Sequence, residues 1–156
     1  LVGLMSLVPA AVRATGLPVV AAGGIASAEQ VKALLAMGAA GVSVGTALLT
    51  TVEAGACDAH RYYAEFGTAC DTVLTRVYNG RLTRVLKNAL VEALEDWECM
   101  TAGYPAQKAL MEPLSRRAAE IGRSDLVMLP LGQSAGRSAY KCTVDCVRAL
   151  FPMPAG

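Results

Sequence analysis

Small residues that end two short apolar runs are the first candidates for chemistry in this sequence. Glycine at the end of a strand lets backbone N–H groups approach an anion closely, and the start of a following helix adds a favourable dipole. Two such turns after consecutive strands predict a shared phosphate site. The alternative is that the glycines only allow the chain to turn tightly and bind no ligand. The candidate residues are Ala22, Gly23 and Gly24 in the first turn and Gly45 and Thr46 in the second.

A βαβ unit is predicted to position these two turns. Residues 18–22 and 42–44 are short apolar runs, typical of strands buried on both faces of a parallel sheet. Between them, Ser27 and Gln30 have the spacing of a capping box that starts a helix, and Gly38 is placed to end it. We therefore expect both turns at the same edge of the sheet, with their N–H groups converging.

The known glycine-rich nucleotide motifs are absent from the sequence. It contains neither the Gly-x-Gly-x-x-Gly fingerprint of dinucleotide-binding folds nor a Walker A loop. In TIM barrels, by contrast, the phosphate site often follows strands seven and eight. The two turns therefore favour a barrel-type phosphate site.

The composition limits the kinds of partner that the chain can have. The 156 residues are 54% hydrophobic with a net charge of +1, so nothing marks a nucleic-acid-binding protein. No apolar run reaches transmembrane length, and the apolar start lacks the basic segment of a signal peptide. The five cysteines include no Cys-x-x-Cys, which indicates reduced thiols and the cytoplasm. Cys142 and Cys146, one helical turn apart, leave a metal site as an alternative, but no metal is predicted.

Beyond the βαβ unit, the sequence predicts a mostly helical extension. Residues 1–56 are expected to be the last βα units of a barrel, 57–130 the extension, and 131–156 a loop and a helix that return to the barrel. Glu53 is expected to cap or pair locally. The other predicted elements are a helix over 4–12, a helix over 59–66 capped by Asp58, an extended segment at 73–74, a turn at 79–80, a long helix over 82–97, a helix from 105 to near 122, and a last helix over 138–150.

An ordered set of motifs resembles the nitronate monooxygenases, formerly called 2-nitropropane dioxygenases, and their relatives the FMN-dependent enoyl-ACP reductases. The motifs are AAGGIAS, MGAAGVSVGTALL, Glu53, DTVLTRVYNGRLTRVLKN and LGQSAG, in that order. Each motif is weak by itself, but the ordered set is fairly specific. The resemblance covers about residues 4–150.

The resemblance implies a TIM barrel that binds FMN and carries a smaller, mostly helical domain. The expected fold class is therefore α/β, the C-terminal part of a TIM (β/α)8 barrel with an appended mostly helical segment. By resemblance, Ala22, Gly23 and Gly24 contact the FMN phosphate from one turn, and Gly45 and Thr46 from the next. Gln133, Ser134 and Gly136 are expected to approach the flavin or the substrate pocket.

The implied function is FMN-dependent oxidation of alkyl nitronates with O2. An FMN-dependent enoyl-ACP reductase, which needs a nicotinamide donor, is the alternative among enzymes. A non-catalytic remnant that binds a phosphate ligand or a partner chain is the alternative from another class, and self-association through an open barrel edge is expected. A basic cluster either receives an acidic partner such as acyl-carrier protein or is a solvated helix face; it consists of Arg76, Arg81, Arg84 and Lys87.

No catalytic residue is assigned from the sequence. In the family, the catalytic base is a His in a Gly-Gly-His-type segment upstream of the helix that resembles residues 4–12, and this chain starts after that point. His60 is the single histidine, lies in a charged stretch and is expected to be a solvated surface residue. We therefore expect the C-terminal portion of a longer protein, without nitronate oxidation of its own.

Overall fold

Two compact units make up the chain in the computed structural model, which describes residues 1–152. One unit contains residues 1–67 and the chain from residue 133 onward, and the other contains residues 68–132. The sequence places a boundary at residue 56 instead, and the difference is the helix that follows. That helix begins with Asp58 as its first residue and not, as predicted, as its cap. Positions 153–156 of the predicted third segment lie outside the described residues.

Helices outnumber strands in the first unit, and the second unit has two of each. No helix within residues 1–152 is long and apolar enough to cross a membrane. The elements are α1 Leu4–Thr15, β1 Val20–Ala22, α2 Ala28–Ala36, β2 Gly41–Ser43, α3 Asp58–Phe66, β3 Thr72–Thr75, β4 Thr83–Leu86, α4 Ala89–Leu94, α5 Ala106–Glu120 and α6 Thr143–Leu150.

The predicted βαβ unit is confirmed in the first compact unit. Strands β1 and β2 are parallel, with Ala22 opposite Ser43. The Ser27 hydroxyl accepts a hydrogen bond from the backbone N–H of Gln30 at 3.3 Å, and the Gln30 side chain accepts one from the Ser27 N–H at 3.1 Å. This reciprocal capping box starts α2 and fixes the path of the chain after β1.

Buried apolar side chains from three helices form one core with this sheet. Val8 of α1, Val31 and Leu34 of α2, and Cys146 and Leu150 of α6 are each no more than 4% exposed and belong to the same cluster. Burying a side chain of the size of Val or Leu stabilises a fold by about 1.5–3 kcal/mol. The last helix is therefore held in the first unit by its apolar face, although it lies far from the βαβ unit in sequence.

The predicted long helix over 82–97 is wrong. Residues 83–86 form β4 instead, which pairs antiparallel with β3 and places Thr72 opposite Leu86. The spacing of the apolar residues fits a helix, but the turn at 79–80 reverses the chain and makes a hairpin available. Val85 is fully buried in this hairpin, so long-range pairing and burial prevail over local helical periodicity.

Asn88 explains why helix α4 begins only after the hairpin. Its side-chain oxygen accepts a hydrogen bond from the Val91 N–H at 3.2 Å and another from the Tyr78 hydroxyl at 2.9 Å. Its amide nitrogen donates to the Val127 carbonyl at 2.9 Å. Burial raises the pKa of Tyr78, whose hydroxyl keeps its proton as the donor in this buried network.

The last helix begins later than the predicted start at residue 138. The carbonyl oxygen of Tyr140 accepts a hydrogen bond from the Thr50 hydroxyl at 2.9 Å, and that of Lys141 accepts one from the Val52 N–H at 3.1 Å. These carbonyls bind a distant part of the chain and not the next helical turn. Residues 138–142 are therefore not helical, and α6 starts at 143.

Glu53 caps the start of α6 from outside the helix. Its carboxylate oxygen Oε2 accepts a hydrogen bond from the Thr143 N–H at 3.1 Å. The pKa of Glu53 is lowered by the hydrogen bond from its own backbone N–H and then by those from Thr143. The prediction that Glu53 caps or pairs locally is confirmed in part, because its partner is close in space but distant in sequence.

Candidate functional site

The two predicted turns follow paired strands that run in the same direction. Because β1 and β2 are parallel and in register, Gly23 and Gly24 on one side and Gly45 on the other leave the sheet at the same edge. Gly23 and Gly24 have φ values of 116° and 69°, which side-chain-bearing residues rarely adopt. A Cβ atom placed on any of these three glycines would meet nothing within 4 Å. The space beside the turns is therefore open to a ligand.

Gln30 braces the first turn from the start of α2. Its Nε2 donates a hydrogen bond to the Gly24 carbonyl at 3.2 Å. Its Oε1 accepts hydrogen bonds from the N–H groups of Ala26 at 2.7 Å and Ser27 at 3.1 Å. The Gln30 side chain thus satisfies the two N–H groups that directly precede α2.

A cleft of about 310 Å³ joins the first turn to the loop at 131–136. The first turn and the loop residues that line the cleft, which begin at Gln133, belong to the first compact unit. Its lining carries no acidic side chain and consists of Leu4, Gly23, Gly24, Gln30, Gln133, Ser134 and Arg137. The structure thus brings together predicted residues that are more than a hundred positions apart in sequence, while Ala22, Gly45, Thr46 and Gly136 do not line this cleft.

Ser134 and Arg137 supply free polar groups to the cleft. Ser134 is only 3% exposed, and its hydroxyl forms no hydrogen bond with any of residues 1–152. Arg137 is exposed, and its guanidinium forms neither an ion pair nor a hydrogen bond within the same range. Sequence reasoning missed Arg137. The available signal was its place directly after the Gly-Gln-Ser-Ala-Gly loop.

Gly136 holds the loop in place and does not line the cleft. Its N–H donates a hydrogen bond to the Ala64 carbonyl at 3.0 Å, at the end of α3. Its φ is 74°, and a Cβ atom there would collide with the carbonyl oxygen of Gly67. Gly136 therefore fixes the loop against α3, and its direct approach to a flavin or substrate stays a prediction.

The second turn, at Gly45 and Thr46, continues into a short 3-10 turn and not into a full helix. Thr46–Leu48 form this turn, in which the Gly45 carbonyl accepts a hydrogen bond from the Leu48 N–H at 2.9 Å. The turn lies at the edge of the sheet that also carries Gly24. Its share in a common phosphate site stays a prediction.

The other sequence candidates lie elsewhere. His60 is half-buried on α3, and is therefore less solvated than the surface residue that was expected. Each residue of the basic cluster has its own neighbour within the second unit: Arg76 pairs with Glu98 at 3.9 Å, Lys87 with Glu92 at 3.8 Å, Arg84 donates to the Thr72 hydroxyl at 2.9 Å, and Arg81 lies 3.7 Å from the centre of the Tyr104 ring. This pattern favours a solvated face over a docking surface for an acidic partner.

The cysteines show no sign of a metal site or a disulfide. All five are free thiols. Within residues 1–152, no group of three or more His, Cys, Asp or Glu side chains is placed to hold a metal ion. Cys146 is fully buried, and this burial raises the pKa of its thiol. It serves as an apolar core residue.

A second cleft, of about 430 Å³, lies in the unit formed by residues 68–132. Tyr78, Met111 and Met128 give it an apolar floor, and Lys108 and Glu112 line it from α5. The Glu112 carboxylate pairs with Arg116 at 3.2 Å. None of the predicted site residues lines this cleft.

Known proteins resemble this chain over nearly its whole length. The sequence pattern of the family described as nitronate monooxygenase matches residues 2–150. A protein of Staphylococcus aureus (strain Newman) named "Probable nitronate monooxygenase" is 37% identical over 134 residues, which are 86% of this chain and 38% of that protein. The chain therefore spans well under half the length of this curated relative.

Solved structures show the same similarity. A nitroalkane oxidase from Streptomyces ansochromogenes has a TM-score of 0.87 and 34% identity, covering 96% of this chain and 42% of its own. FabK from Thermotoga maritima has a TM-score of 0.78 and 29% identity, covering 96% of this chain and 48% of its own. The predicted fold class is thereby confirmed: α/β, the C-terminal part of a TIM barrel with an appended mostly helical segment.

Proposed function

Because the chain belongs to the nitronate monooxygenase family, we propose that it supplies the phosphate-binding side of an FMN site in an oxidoreductase that oxidises alkyl nitronates with O2. The observation that carries this proposal is the cleft shared by the first glycine turn and the loop at 131–136. The chain spans 38% of the curated relative and 42% of the structural one, so the proposal assigns one side of the site only.

The residues present fit a phosphate monoester. Gly23 and Gly24 leave open space where side chains would stand, which permits close approach of their backbone. Ser134, a residue only 3% exposed, offers a hydroxyl without a hydrogen-bond partner among residues 1–152, and Gln133 adds a side-chain amide. Because no acidic side chain lines the cleft, it favours the binding of an anion.

Each part of the site has a distinct role in the proposal. The Gly23–Gly24 turn, held open by Gln30, donates backbone N–H groups to the phosphate. Ser134 and Gln133 bind it from the opposite loop, and Gly136 holds that loop on α3. Ala22, Gly45 and Thr46 do not line the cleft, and the proposal places them beside the phosphate at the same sheet edge.

The cofactor, when bound, supplies the redox chemistry with O2 and the nitronate. The residues of this chain bind and orient its phosphate end, and they exclude competing anions by shape and hydrogen bonding. No proton-transfer step is assigned to His60, because it does not line the cleft. We therefore expect these 156 residues to show no nitronate oxidation by themselves.

Flavin binding and turnover test this proposal together. FMN titrated into the purified protein should quench its fluorescence saturably, and riboflavin, which lacks the phosphate, should bind more weakly. In flavin-loaded protein that includes the family's catalytic segment, O2 consumption should follow added ethyl nitronate, and His60→Ala should not change it. Reduction of the flavin by NADH would favour the enoyl-ACP reductase alternative. Saturable binding of neither flavin would contradict the proposal.

Two further proposals concern the setting of the protein. Five free thiols agree with a reducing compartment, and we place the protein in the cytoplasm. Within residues 1–152, the parallel sheet has two strands, and Val20 on β1 is 61% exposed. Open apolar strand edges promote association, so we expect the isolated chain to self-associate.

A further inference from the structure

Arg137 is the cationic residue that lines the cleft. Its guanidinium has no ion pair or hydrogen bond within residues 1–152, whereas Arg76, Arg116, Arg117 and Arg123 each pair with a carboxylate. Its backbone is fixed, because the Arg137 N–H donates a hydrogen bond to the Ser134 carbonyl at 3.1 Å. An unpaired cation on a fixed backbone, beside an opening without acidic groups, is poised for an external anion.

We infer that Arg137 binds the phosphate of the ligand and sets the preference of this site for a phosphorylated flavin over an unphosphorylated one. The inference rests on the proposed FMN site and adds a residue and a selectivity to it. A phosphate monoester carries close to two negative charges at neutral pH and three acceptor oxygens. The forked guanidinium can bind two of these oxygens at once, which a hydroxyl or an amide cannot do.

Ser134 lines the same cleft as Arg137. The residue is 3% exposed, and its hydroxyl has no hydrogen-bond partner within residues 1–152, so the hydroxyl is available to a ligand that enters the cleft. A phosphate oxygen that reaches both side chains would give each of them a partner.

The test compares FMN with riboflavin by isothermal titration of the whole chain. The variants are Arg137→Gln, Arg137→Lys and the control Arg148→Gln, since Arg148 is also exposed and unpaired within residues 1–152 but does not line the cleft. Arg137→Gln should weaken FMN binding about tenfold, as expected for a lost charge-assisted hydrogen bond, and leave riboflavin binding unchanged. Arg137→Lys should recover part of the loss, and Arg148→Gln should match the wild type. Circular dichroism of each variant checks folding.

An equal FMN-to-riboflavin preference in Arg137→Gln and wild type would overturn the inference while the proposed flavin function stands. Phosphate titrated alone, followed by ³¹P nuclear magnetic resonance, separates the two claims further. Binding of inorganic phosphate that depends on Arg137, without binding of either flavin, would support the anion contact and contradict the FMN function. Failure of inorganic phosphate and of both flavins to bind the wild type would overturn both.

Discussion

The Nε2 atom of Gln30 donates a hydrogen bond to the carbonyl oxygen of Gly24 at 3.2 Å. The same side chain caps α2 through its oxygen, so one residue couples the start of a helix to the turn that faces the cleft. The shape of the glycine turn is thus set by a side chain six positions further along the chain. Because the oxygen and the nitrogen of the Gln30 amide make these two contacts separately, a mutation can remove one contact and keep the other.

Gln30→Glu should weaken FMN binding with little change in melting temperature. Glutamate keeps the oxygen that accepts hydrogen bonds from the N–H groups of Ala26 and Ser27. At neutral pH, however, its side chain has no hydrogen to donate to the Gly24 carbonyl. Gln30→Ala removes both contacts and should also cost roughly 1–2 kcal/mol of stability through the lost cap. Calorimetry and flavin titration measure the two effects. A Gln30→Glu protein with wild-type FMN affinity would show that the brace does not matter for binding.

Gly24→Val should lower the flavin content of the purified protein. A β-branched side chain disfavours the φ of 69° at this turn, and it would occupy the open space beside it. Gly16→Val is the matched control, because Gly16 has a φ of 63°, also has nothing within 4 Å of a Cβ, and lies away from the cleft. Both variants should lose stability. Equal flavin content in the two would argue against a phosphate contact at Gly24.

Gly136→Ala should destabilise the protein more than Gly122→Ala does. Both glycines have similar φ values, 74° and 72°, but a Cβ at Gly136 meets the Gly67 carbonyl, whereas one at Gly122 meets nothing within 4 Å. The Gly122 variant isolates the backbone penalty, which is about 1 kcal/mol. Urea unfolding of each variant gives the difference. Equal losses would mean that the loop can shift away from α3 at no cost.

The effect of Glu53→Gln should depend on pH. The pKa of Glu53 is lowered in the folded chain by its own N–H and then by Thr143, so the carboxylate adds stability above its ordinary pKa of 4.5. That contribution is lost as the pH falls through the lowered folded pKa. Melting temperatures should therefore differ at pH 7 and converge as the pH falls below 4.5 and passes through the lowered folded pKa. Glu95→Gln serves as the control, because Glu95 is exposed and its side chain has no hydrogen bond or ion pair within residues 1–152. A constant difference at all pH values would exclude the charge as its origin.

Local signals were sufficient to predict the βαβ unit and its capping box. Ser27 and Gln30 act over three residues, and glycines at the strand ends mark the turns, so both features are written in short stretches of sequence. The helix predicted over 82–97 failed for the opposite reason. The apolar spacing there suits a helix as well as a strand, and only pairing with residues 72–75 decides between them.

The cleft could be predicted only in part. Gly23, Gly24, Gln133 and Ser134 were proposed from motifs, and the structure places them on one lining. Arg137 directly follows the Gly-Gln-Ser-Ala-Gly loop, but the lack of an ion pair at its guanidinium is a property of the folded chain and cannot be read from the sequence. The packing role of Gly136 against Gly67 likewise depends on a contact that the sequence does not encode locally.

A crystal structure of the protein grown with FMN tests the central claim most directly. We expect the FMN phosphate in the cleft between the Gly23–Gly24 turn and the loop that carries Gln133 and Ser134, within hydrogen-bonding distance of the Ser134 hydroxyl. A phosphate bound outside this cleft, or a cleft that stays free of ligand while FMN occupies another site, would contradict it.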